Sequence, residues 1–112
     1  MKRNLLYIGL IPALFGCFFG EREVRVRSVA FSETIILRSR QENPHQIKIR
    51  GEGRIEGVAS ITLILNGDAY KTEELNGDVH FVWMGDWYDS QAVVEYDHGN
   101  AKSGNLIIIY DF

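Results

Sequence analysis

One cysteine, three histidines and a scatter of hydroxyls and carboxylates are the residues of this chain that could do chemistry. A zinc site needs ligands at set spacings, such as H-E-x-x-H or C-x-x-C. His45, His80 and His98 stand far apart and Cys17 has no second thiol. Asp86, Asp89 and Asp97 could gather at one loop end and offer oxygens to calcium, but their spacing fits no calcium loop, and solvated surface acids are the default. Nucleophilic catalysis needs a serine or cysteine beside an oriented base. Ser32, Ser39, Ser60, Ser90 and Ser103 lie in no G-x-S-x-G context. "GEGRIEG" at 51–57 holds glycines without the Lys-Ser/Thr of a phosphate loop and precedes a strand, so its glycines are expected to serve a turn and a bulge. Paired carboxylates for glycoside hydrolysis depend on separation in space, and a small sheet domain offers little room for a deep cleft. The expectation is a non-enzyme with no catalytic residue, no metal and no cofactor.

Cys17 ends a segment of distinct composition, "MKRNLLYIGLIPALFGC". Lys2 and Arg3 make its start basic, which holds that end in the cytoplasm. An uncharged apolar run follows from Leu5 to Leu14. It is shorter than the roughly 20 residues a membrane-spanning helix needs and suits the core of a signal peptide.

The closing residues resemble the lipobox of bacterial lipoproteins: Leu14 three places before the cysteine, the small Gly16 just before it, then Cys17. The resemblance implies removal of residues 1–16, a thioether-linked diacylglycerol on the sulfur of Cys17 and further acylation of its new amino group. Cysteine suits that chemistry because its thiolate is readily alkylated, and several acyl chains anchor where one holds only marginally. The rivals are a cysteine packed in an ordinary apolar helix, cleavage by the ordinary signal peptidase, and an uncleaved anchor from Leu5 to Phe19. Phe18 follows the acylated position, and the Asp that commonly retains such proteins at the inner membrane is absent. In a cell with two membranes the outer one is the expected home. The mature chain then has no thiol left for a disulfide.

Behind the anchor, residues 17–22 read as a tether and 23–112 as one domain. Of the chain's 112 residues 46% are apolar, enough to rule out a disordered chain. Two of its 12 basic residues lie in the first sixteen, which leaves ten against 15 acidic ones. A domain of that sign is a poor polyanion binder, so nucleic acid is excluded as a partner.

The period of the domain is two. "REVRVRS", "HQIKIRG", "ASITLILNG", "DVHFVWMG", "AVVEY" and "NLIIIYDF" each alternate, and no helical stripe follows residue 20. The expectation is an all-β, two-layer antiparallel β-sandwich of immunoglobulin-like type, with seven or eight short strands; a small closed barrel is the alternative. Asn66-Gly67 predicts a type I′ hairpin pairing Leu63 with Tyr70. Gly85-Asp86 predicts a type II′ hairpin pairing Trp83 with Tyr88 and Val79 with Ala92. Asn76-Gly77 cannot make a tight hairpin without opposing Glu74 to Val79, so "TEELNGD" reads as a loop. The last two strands are expected to be neighbours. "NLIIIYDF" is apolar on both faces and belongs at the centre of a sheet.

The predicted 85–86 hairpin puts Trp83 and Tyr88 in the core and sends Met84, Trp87 and Asp89 to the other face. Met84, Asp86, Trp87 and Asp89 are therefore the candidate binding surface. Such a surface suits an interface with another envelope protein; aromatic rings beside carboxylates also suit a peptidoglycan or other glycan, and inhibition of a cell-wall hydrolase is a third reading. The membrane, through the lipid, is the remaining expected partner.

Overall fold

The computed structural model describes residues 21–112; the expectations for Leu14, Gly16 and Cys17 lie outside them. The fold is all-β. Among the described residues six strands follow one another: β1 (Arg22–Arg25), β2 (Glu33–Arg38), β3 (Gln46–Leu65), β4 (Asp68–Asp86), β5 (Gln91–Asp97) and β6 (Ser103–Asp111). All pairings are antiparallel.

β3 organises the molecule. β4 pairs along one edge of it for nearly its whole length. On the other edge β6 pairs with Lys48–Glu56 and β5 with Ser60–Ile64, one after the other. β1 then flanks β6 and β2 flanks β5. The sheet thus has two halves that share β3 and β4. They meet at an irregularity between Ile55 and Val58, opposite Asn76 and Gly77. Gly57 sits there with φ 114°, and a Cβ on it would come within 2.9 Å of the Ala101 backbone. The Val58 amide donates to Asn100 Oδ1 at 2.6 Å, which satisfies a group the bulge frees from the ladder.

Two extra residues in β3 keep its alternation in phase across the bulge. Ile47, Ile49 and Ile55 before it and Ala59, Ile61 and Leu63 after it are all buried. Both halves therefore turn their apolar faces toward one core, which also takes Leu37, Val94, Leu106 and Ile108. A fully buried aliphatic side chain stabilises by about 1.5–3 kcal/mol, so this continuity of phase is what holds the two halves of the curled, open sheet against one core. Tyr96 adds a polar tie: its hydroxyl donates to the Val29 carbonyl at 2.6 Å, fastening the β1–β2 loop over the core.

Several local expectations hold. Asn66 and Gly67 have φ of 54° and 84°, as a type I′ turn needs. Val79, Phe81, Trp83, Ala92, Val94 and Tyr96 are buried. β6 lies between β1 and β3. Others do not. Among the described residues the strands number six, because 46–65 runs on as one strand, and 51–53 form no turn. Leu63 faces Lys71, since the register slips beside it and leaves Tyr70 as the extra residue. Residues 72–78 are no loop but the middle of β4.

The largest correction concerns Gly85-Asp86. β4 and β5 do not pair at all. Gly85 lacks the positive φ a type II′ turn demands. The chain instead crosses at 87–90 from one half of the sheet to the other, where β5 inserts between β2 and β3. β5 and β6 likewise are not neighbours; they share one edge of β3 end to end.

Candidate functional site

The crossing at 87–90 inverts the two aromatic residues of "DWYD". The Trp87 amide donates to the His45 carbonyl at 3.0 Å. Its ring turns inward, and indole Nε1–H donates to the Gln91 carbonyl at 3.0 Å. Trp87 is 5% exposed and belongs to the core. Tyr88, expected in the core, is 73% exposed. Its ring lies 6.4 Å from that of His45. Trp87 is thus removed from the candidate surface, and a glycan-stacking role for its ring goes with it. Met84, Asp86 and Asp89 are exposed as expected. Asp89 accepts from the Gln91 amide at 3.1 Å, which shapes the crossing.

These residues lie at one end of the molecule, the tip. Lys48 is opposite Met84 on one side and Asp111 on the other, and Gln46 is opposite Asp86. The 39–45 loop joins them through Gln41, whose side-chain amide donates to the Phe112 carbonyl. An open groove of about 650 Å3 runs there, lined by Glu42, Leu65, Asn66, Asp86, Tyr88 and Asp89 among others. Its character is acidic with aromatic and aliphatic patches. His80 stands opposite Glu52 on β4 and His98 lies beyond β5, so the three histidines are not brought together.

A second surface is absent from the sequence reading. β4 is bonded only to β3, so among the described residues its other edge is unpaired over 19 residues. Its two parts differ. Between Asp68 and Glu74 the register slips at Tyr70, and Lys71 and Glu73, opposite the buried Leu63 and Ile61, point half-buried toward the core side. Inward charges and bulges are how proteins prevent an edge from pairing. Between Asp78 and Asp86 the register against Gln46–Arg54 is unbroken. Val79, Phe81 and Trp83 face inward and buried, while Val82 and Met84 face outward, 45% and 64% exposed. No inward charge or proline interrupts that part. The expected β4–β5 hairpin would have covered this edge; "YKTEE", with charges on what should be a core face, is the one sequence signal against a covered strand there.

No family model matches the chain, and no curated protein matches it. Among solved structures it is similar to PirA, with a TM-score of 0.53 and 14% identity over 82% of this chain and 93% of that one. It is also similar to part of dimeric latent PorU from Porphyromonas gingivalis, with a TM-score of 0.49 and 7% identity over 82% of this chain and 12% of that one. At these identities the likeness concerns the fold.

Proposed function

We propose that the chain is a lipid-anchored, non-catalytic binding domain of the cell envelope, and that it holds another envelope protein along the free edge of β4. The observation that carries this reading is the contrast within β4. A strand guarded at Lys71 and Glu73 and left open from Val79 to Met84 is suited to accept an extended segment there. Main-chain hydrogen bonds supply affinity in that mode, and the alternating side chains of the partner supply selectivity. Val82 and Met84 give the incoming strand apolar neighbours on the outer face. Anchoring through acylated Cys17 confines the domain to a membrane surface outside the cytoplasm, which raises the effective concentration of any partner held there.

A photo-reactive residue at Val82 in the lipidated protein, within its native host, tests this. The expected result is a defined adduct whose linked peptide maps to one envelope protein, formed from position 82 and not from Thr72 in the guarded part. Equal adducts from both positions, or none from 82, would contradict the reading. An adduct of twice the chain mass would identify the partner as a second copy.

A further inference from the structure

We infer that the tip carrying Met84 and Tyr88 faces the bilayer and seats these two side chains among zwitterionic lipid headgroups. The inference rests on acylation of Cys17. It follows from where the described chain begins and how little chain remains before the anchor. β1 runs from Arg22, opposite Tyr110, to Arg25, opposite Ile107, so it starts at the tip and leads away from it. Glu21, the first described residue, therefore lies at the tip. Glu21 is fixed there by an ion pair to Arg50, 3.2 Å long.

Four residue steps separate Glu21 from Cys17. Fully extended they reach about 14 Å. One half of β3, from Gln46 to Ile55, is about 30 Å long at the usual rise per residue. The far end, where Gly57, Asn100 and Lys102 lie, therefore cannot meet the membrane while the acyl chains are inserted unless the tip meets it too. Met84 is three strands across from β1, about 14 Å at the usual strand spacing, in the row of Lys48 and Asp111. It falls within the footprint that the tether allows.

The side chains at the tip fit such a surface. Tyr88 is 73% exposed and Met84 64% exposed. Tyrosine settles at membrane interfaces because its ring is apolar and its hydroxyl is wet. Glu42, Asp86, Asp89 and Asp111 share the tip with His45, Lys48, Arg22 and Arg40 of the 39–45 loop. That balance is close to neutral, which suits zwitterionic headgroups, while Glu42, Asp86 and Asp89, which line the groove with Tyr88, oppose anionic ones there. The broad outer face beside β1 is a poorer contact, since Glu23, Arg25 and Arg54 stand exposed on it. With the tip down, the open edge of β4 rises from the membrane and stays accessible.

The mature lipidated protein provides the test, because its single native thiol is occupied by lipid and an introduced cysteine takes a dye alone. Tyr88→Cys and Lys102→Cys, both at exposed positions, are labelled with the same fluorophore in phosphatidylcholine vesicles. Lipids bearing a nitroxide at the headgroup serve as quenchers. Quenching is expected to be several-fold stronger at position 88 than at 102, and to weaken at 88 when anionic lipid is added. Equal quenching, or stronger quenching at 102, overturns the inference. Intact mass of the same sample separates the failures: an acylated chain without the difference rejects the orientation alone, whereas an unmodified Cys17 rejects the anchor and the orientation together.

Discussion

Tyr96 shows how one side chain links the core to pH. It is 1% exposed, and burial, with the charge of Asp97 in a smaller part, raises its hydroxyl above the ordinary 10.0. The folded protein therefore holds the phenolic proton longer than the unfolded chain does. The stability this contributes is complete below pH 10 and is lost as pH rises through the folded value. Denaturant melts of the wild type should show an alkaline decline that is smaller in Tyr96→Phe. At neutral pH the same variant should be about 1–3 kcal/mol less stable, because the Val29 carbonyl is left buried without its donor. Trp87 and Tyr88 make the paired test one position further along the chemistry of the tip. Trp87→Ala should cost about 3–5 kcal/mol, as loss of a core aromatic does. Tyr88→Ala should fall within about 0.5 kcal/mol of wild type. Thermal denaturation of the two variants checks both values, and the reverse order would show that the predicted 85–86 hairpin forms after all.

At the scale of the element, Gly51 and Phe81 carry the clearest prediction. They are directly opposite in the β3–β4 ladder, and a Cβ on Gly51 would run into the Phe81 ring. The ring covers a bare stretch of backbone that no other residue at 51 would leave open. Gly51→Ala should destabilise by about 1–3 kcal/mol. In a Phe81→Leu background the cost should shrink, and equilibrium unfolding of the double-mutant cycle measures that coupling. Turn chemistry was readable where it acts alone: Asn66-Gly67 fixes a hairpin because both residues need positive φ and nothing competes. It was not readable at Gly85-Asp86, because glycine before aspartate fits a crossing as well as a hairpin. The choice is made by distant residues, with β2 offering Leu37 to Ala92 and β3 offering Leu63 to Val94. The same non-local choice decides which of Trp87 and Tyr88 is buried, so exposure was legible at Met84, Asp86 and Asp89 and misread at the two rings. The bulge at 55–58 hides the length of β3 in the same way, since "GRIEG" reads as punctuation until Asn100 is seen to support it.

At the scale of the whole molecule, alternation was enough to give an all-β chain and named most of the core, and the count of charged residues gave its acidic balance. The expected two-layer antiparallel arrangement holds, but alternation could not show that both layers belong to one continuous sheet, which depends on β5 and β6 sharing an edge of β3. That sharing leaves β4 exposed, and the exposed edge supports the proposed binding role. Val82→Lys should leave the melting temperature within about a degree or two of wild type, since the site is open to solvent. It should also abolish the partner adduct formed from a probe at His80, because a charge on the edge opposes strand addition. Melting curves and cross-linking on one preparation check both halves of that statement.

The claim on which the rest depends is attachment of lipid to Cys17. Intact-mass measurement of the protein purified from membranes of its native host tests it most directly. The expected species lacks residues 1–16 and carries diacylglycerol and a further acyl chain on Cys17. A full-length, unmodified chain recovered from the soluble cell interior would contradict the account.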